Sequence, residues 1–177
     1  MADFDYEKLI TDIPDYPTAG VVFKDITTLM KDPEGFARSI DDLADHFMGR
    51  GITKVVGAEA RGFMVAAPVA YRLGAGFVPA RKPGKLPRET YSESYALEYG
   101  TDALQIHTDA LEPTDKVLLV DDLVATGGTA VAQLKMVEHF GAQVAGLAFL
   151  MELDFLNPRK LISQHTDAEI YSLVHIQ

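Results

Sequence analysis

Apolar and polar positions recur along this chain with two different periods, and each period predicts a type of element. Phe36, Ile40, Leu43, Ala44 and Phe47 are spaced as one face of a helix. Asp32-Pro33-Glu34 stands just ahead of them: a capping side chain, a proline suited to the first turn, and an acid favourable to the helix dipole. Gly49 and Gly51 predict its end. Ile52 to Ala58 has a buried-strand pattern, followed by a helix to about Leu73 and a strand over Gly76 to Ala80. Two short strands, Tyr95 to Tyr99 and Ala103 to His107, are predicted around Gly100. Lys116 to Val120 reads as a strand buried on both faces, Thr129 to Phe140 as a helix, and Val144 to Met151 and Ile170 to Ile176 as the last strands. Asp5 to Ile13 predicts a short helix ahead of Pro14 and Pro17. Residues 82–94, with prolines, a glycine and five charges, predict a long exposed loop.

Strands alternating with helices predict an α/β fold, with a mostly parallel central sheet flanked by helices. Such a sheet places its ligand beyond the carboxyl ends of the strands. That rule says where along the chain chemistry is to be sought.

Composition narrows the picture. A length of 177 residues fits a single domain, residues 1–177, with a sizeable core. Hydrophobic residues at 47% and charged residues at 24% mark a globular chain rather than a disordered one. The absence of cysteine excludes disulfides and thiolate metal sites, and fits a reducing, cytoplasmic setting. A net charge of −10 argues against sequence-independent binding to nucleic acid. No apolar stretch approaches the roughly 18 residues of a membrane span, and Met1 to Asp5 lacks the basic-then-apolar order of a signal peptide. Against this acidic background, Arg81, Lys82, Lys85 and Arg88 form a local cationic patch. The histidines show no metal-ligand spacing and are expected to be structural or superficial.

Asp121 and Asp122 come where the strand from Lys116 should end. Two adjacent carboxylates repel strongly if buried, and are tolerated beside water, a metal or hydroxyl donors. Ala125-Thr126-Gly127-Gly128-Thr129 follows, then the helix. Small residues let backbone N–H groups turn around an anion, and two threonines add hydroxyls. The helix terminus contributes only about 0.3–1 kcal/mol. Hydrogen bonds to a charged phosphate, at roughly 1.5–3 kcal/mol each, dominate. The run therefore points to a phosphate cup beside a diol or metal clamp. The plainer alternative is an N-capped helix after a solvated turn. Neither a Walker loop nor a dinucleotide fingerprint is present.

The whole run from Val117 to Thr129 resembles the ribose-phosphate signature of type I phosphoribosyltransferases. The resemblance implies that Asp121 and Asp122 hold the ribose hydroxyls of 5-phosphoribosyl diphosphate. It implies that Ala125, Thr126, Gly127, Gly128 and Thr129 hold the 5-phosphate. Gly20 to Thr27, Glu59 to Phe63, Arg81 to Pro87 and Ser94 to Gly100 are similar to the adenine-using members of that family, in order, over nearly the whole chain.

By that resemblance Glu59, Ala60 and Arg61 receive the diphosphate, often across a cis non-proline peptide, and Arg81, Lys82 and Lys85 neutralise it. Val22 and Phe23 hold adenine, Phe23 by stacking. Glu98, on a flexible loop of about residues 82–98, acts as general acid/base on the purine, with Arg61 as the second catalytic residue. Residues 1 to about 30 form a hood over the base. Mg²⁺ is implied, held mainly by the substrate rather than directly by the protein, and the assembly is a homodimer. Family members often carry Arg after this Phe. Lys24 is a point charge without the planar fork.

The expected reaction converts adenine and 5-phosphoribosyl diphosphate to AMP and diphosphate. The alternatives keep the chemistry but change the base to guanine, xanthine or orotate, or leave a non-catalytic ribosyl-diphosphate-binding regulator. The regulator needs a basic surface or a DNA-binding extension, which this acidic chain lacks. A receiver-like domain with paired acids on Mg²⁺ needs a phosphoacceptor aspartate at another strand end, and none stands out.

Overall fold

Near-continuous apolar strands require cover on both faces, and the fold supplies it. The computed structural model describes residues 4–97 and 100–177. The elements are β1 (Thr11–Pro14), β2 (Val22–Asp25), α1 (Thr27–Met30), α2 (Pro33–Phe47), β3 (Lys54–Ala58), α3 (Arg61–Leu73), β4 (Gly76–Ala80), β5 (Thr90–Leu97), β6 (Gly100–His107), β7 (Lys116–Val124), α4 (Gly128–His139), β8 (Gln143–Leu153), α5 (Pro158–Ile162) and β9 (Ile170–Ile176). Strands β4-β3-β7-β8-β9 form a five-stranded sheet, and every pairing in it is parallel. The α/β expectation holds.

Side chains alternate across the sheet and build two cores. On one face Val55, Leu118, Val120, Ala148 and Leu150 pack with α2 and α3. On the other, Val56, Val117, Leu119, Leu147 and Phe149 pack with α4 and with Leu104 and Ile106 of the β5–β6 hairpin. α4 lies between sheet and hairpin, so its buried residues run round the helix rather than along one stripe. Tyr91 of the hairpin stacks on His139 with ring centroids 3.6 Å apart. α2 begins as expected, with the Asp32 side chain accepting from the Gly35 N–H at 2.7 Å. Among the described residues, no helix is long and apolar enough to cross a membrane.

Three local expectations need correction. The helix expected over Asp5 to Ile13 is a 3₁₀ turn at Glu7–Leu9 followed by β1. β1 pairs antiparallel with β2, Ile13 opposite Phe23, so a partner beyond the turn overrides the local pattern. The loop expected over residues 82–94 stops short of Thr90, where β5 begins. β6 pairs with it from Thr90↔His107 onward, and a two-stranded ribbon accepts polar side chains on its outer face. Finally, β7 does not end before the acids. β8 continues alongside it, with Asp121↔Phe149, Leu123↔Met151 and Val124↔Glu152 in register. Asp121 and Asp122 are strand residues and are buried, not in a solvated turn.

Candidate active site

The carboxyl edge of β3 and β7 opens onto a cavity of about 280 Å³. Two strand-to-helix junctions frame it, β3 to α3 and β7 to α4.

At the second junction, Gly127 turns the chain with φ +92°, a conformation side chains disfavour. α4 has no side-chain cap, and its first helical bond runs from the Val131 N–H to the Gly127 carbonyl at 3.0 Å. The N–H groups of Gly128, Thr129 and Ala130 precede that bond and face the cavity end of the helix dipole. Ala125, Thr126, Gly127, Gly128 and Thr129 all line the cavity, and no charged side chain belongs to the loop.

The first junction is built from charges. The Glu59–Ala60 peptide is cis. The Glu59 carboxylate accepts from the Lys82 backbone N–H at 2.6 Å and pairs with Arg81 Nε at 3.2 Å. That carboxylate thus ties the end of β3 to the end of β4. Arg61 starts α3, and its Nε lies 2.9 Å from Asp122 Oδ2. The approach is misaligned for a hydrogen bond, and buried Oδ2 accepts none among the described residues. The Arg61 guanidinium also sits 5.0 Å from the centre of the Phe23 ring.

Asp121 accepts from the Asp122 N–H at 2.9 Å and packs against Gly62, where a Cβ would collide with its Oδ1. Burial pushes its carboxyl pKa well above the ordinary value. The neighbouring Asp122 charge adds to this, and Arg61 opposes it. The pair is therefore poised for hydroxyl donors or a cation.

Glu59, Ala60, Arg61, Lys82, Asp121 and Asp122 line the cavity together with the loop. Arg81 and Lys85 do not. Arg81 is turned to Glu59, and Lys85 is exposed. The Lys82 ammonium rests 2.9 Å from Asp102, and its pKa is raised chiefly by that hydrogen bond. Val22 is exposed, and neither it nor Phe23 lines the cavity; the Phe23 ring meets Arg61, which does. Lys24 is bound to Asp12 at 2.7 Å and braces the β1–β2 ribbon. Glu98 lies outside the described residues.

Sequence reasoning missed Tyr95, which lines the cavity and donates to Asp102 at 3.3 Å. Its position on a strand bearing the motif was legible, but the direction of its ring was not.

A separate cluster, Glu152, Asp154 and His175, brings three potential ligand atoms within 4.8 Å of one another. Its acids already have partners. Glu152 takes Arg159 and Ser172, and Asp154 takes His175 and Gln177.

A parallel sheet with an acid pair and an uncharged phosphate-shaped loop at its carboxyl edge defines a sugar-phosphate-binding class, and similarity to known proteins agrees. Residues 24–168 match the phosphoribosyl transferase domain, and the chain belongs to that family. It is 54% identical over 166 residues to an adenine phosphoribosyltransferase of Koribacter versatilis, covering 94% of this chain and 90% of that protein. The adenine phosphoribosyltransferase structure from Thermoanaerobacter pseudethanolicus superposes with a TM-score of 0.92 at 50% identity, covering 97% of this chain and 98% of that one. The Giardia lamblia enzyme, solved with 9-deazaadenine, matches with a TM-score of 0.92 at 34% identity, over 98% and 97% of the two chains.

Proposed function

We propose that this chain transfers the 5-phosphoribosyl group from 5-phosphoribosyl diphosphate to adenine, giving AMP and diphosphate, a purine-salvage reaction. The observation that carries the proposal is the meeting of Asp121, Asp122 and the Ala125–Thr129 loop at one cavity. The loop offers backbone N–H groups and hydroxyls to the 5-phosphate. The acids accept hydrogen bonds from the ribose hydroxyls. Arg61 and Lys82 lie where negative charge gathers as diphosphate departs, and stabilise it. Arg81 and Lys85 add to the field from outside the cavity. The Glu59 carboxylate acts by holding the junction, with the backbone at Ala60 turned to the diphosphate.

Displacement at the anomeric carbon puts positive charge on the ribose ring in the transition state, which is lost as the bond to the base nitrogen forms, and the protein holds base and donor in line. Adenine lies near Phe23 and Val22, under the β1–β2 ribbon, which serves as the hood. Glu98 exchanges a proton with the purine, the role that the family resemblance implies for it.

Buried Asp122 Oδ2 accepts no hydrogen bond among the described residues and faces Arg61 at 2.9 Å; as a hard oxygen donor it would suit Mg²⁺ held mainly by the donor's diphosphate and hydroxyls. Such an ion supplies charge neutralisation to the diphosphate. The acidic balance and lack of cysteine support a cytoplasmic enzyme that binds neither nucleic acid nor membrane. Family likeness supports a homodimer.

The test supplies adenine, guanine, xanthine and orotate in turn with the donor and Mg²⁺, and follows nucleotide and diphosphate by chromatography. AMP from adenine, with little product from the others, is expected. No AMP from adenine overturns the reading.

A further inference from the structure

The loop that carries the 5-phosphate rests on α5. A Cβ at Gly127 would lie 3.2 Å from Ile162 Cγ1 and 3.2 Å from the Pro158 carbonyl oxygen, so this short helix is the floor beneath the turn. A helix of five residues has little stability of its own and must be fixed by tertiary contacts. Buried Pro158 and Ile162 supply some of them, and Arg159 adds an ion pair to a buried acid. Its Nε and Nη2 donate to the two carboxylate oxygens of Glu152 at 2.8 and 2.9 Å. Glu152 is only 2% exposed, and the Ser172 hydroxyl of β9 donates to it at 2.7 Å. On β8, Glu152 stands in register with Val124, the last residue of β7 before the loop. One buried carboxylate therefore joins the strand that enters the loop to the helix beneath it. Burial alone would raise the Glu152 pKa. The hydrogen bonds from Arg159 and Ser172 outweigh it and hold the group below its ordinary value.

We propose that Glu152, acting through its bidentate pair with Arg159, is a positioning residue for the 5-phosphate loop. The pair sets the distance between α5 and Gly127, and hence where the N–H groups of Gly128 and Thr129 point. Glu152 touches no substrate in this role. The inference rests on reading Ala125–Thr129 as the 5-phosphate site.

The experiment titrates ribose 5-phosphate into the full-length wild type, Glu152→Gln, Arg159→Gln and the double variant by calorimetry, with adenine KM and melting curves in parallel. Each single variant should bind about tenfold more weakly, a change of about 1.4 kcal/mol. The double variant should be no worse than the weaker single. Adenine KM should stay unchanged, and Arg159→Lys, which keeps the charge but not the fork, should fall between. Unchanged ribose 5-phosphate affinity in a folded variant overturns the proposal, even if Tm falls. Additive losses overturn it too. If Glu152→Gln does not fold, Arg159→Gln at the half-exposed end of the pair decides. Thr129→Val separates the two levels. If it binds ribose 5-phosphate normally, the phosphate-site reading fails and takes this proposal with it. If it binds weakly while Glu152→Gln binds normally, only the positioning role fails.

Discussion

The two strand-to-helix junctions at the carboxyl edge solve one problem with different means. The β3–α3 junction is assembled from charges: Glu59 with Arg81, and Arg61 with Asp122. The β7–α4 junction has no charged side chain in its loop, and relies on a glycine at φ +92°, two threonine hydroxyls and the end of a helix. A phosphate that stays attached through the reaction needs a fixed cup. Backbone groups provide one at little cost in side-chain entropy. A diphosphate that leaves needs charge aimed where negative charge develops. The difference teaches that the holding site and the reacting site can be told apart by what each is made from.

The sharpest break in that comparison is Arg61→Gln. It removes the cation opposite Asp122, the one that we propose faces the diphosphate, so turnover should fall by about 10²–10³, as for loss of one strong electrostatic donor. Steady-state kinetics should place most of the loss in kcat. A loss confined to the donor KM would make Arg61 a holding residue and erase the distinction.

Next is Gly127→Ala. The left-handed turn and the close approach to Pro158 and Ile162 should cost about 1–3 kcal/mol of stability. Donor affinity should weaken with adenine KM unchanged, as read by melting curves and calorimetry. A normal affinity would show that the cup is not shaped by its backbone.

The smallest effect is a gain. Asp121 has a folded-state pKa raised by burial and by Asp122. Its contribution to stability is therefore present below the ordinary carboxylate range and is lost as pH rises through the raised value. Asp121→Asn removes that loss, so the substrate-free variant should melt higher at neutral pH, by about 2–4 °C for each kcal/mol recovered. The advantage should vanish below about pH 4, where the wild-type acid is protonated as well. Donor affinity should move the opposite way, since the acceptor for a ribose hydroxyl is weakened. Equal melting temperatures across pH would show that the acid pair is not strained.

Much of the architecture was legible because it is local. The strand at Gly76–Ala80 and the helix beginning at Asp32-Pro33 follow from period and capping chemistry, and the structure places them as expected. The 125–129 loop was legible because small residues between an apolar run and a helix have few other uses. The register of β1 on β2 was not legible, nor was the extension of β7 past Val120, because each depends on a partner strand distant in the chain. The basic patch was visible as a cluster but not as a division of labour. Only packing turns Arg81 to Glu59 and Lys82 to Asp102, and leaves Lys85 exposed.

By itself, the sequence determined the alternation of strands and helices, the fully buried faces of the central strands, and the acid pair followed by an anion-shaped turn. These are properties of neighbouring residues and of their period. Tertiary structure alone decided that the two acids are buried, that Arg61 meets Asp122, and that Glu152 reaches Arg159 to support α5 under Gly127. Those contacts join residues on different elements. Their energies depend on distances and on exclusion of water, which exist only once the sheet and its helices have closed over them.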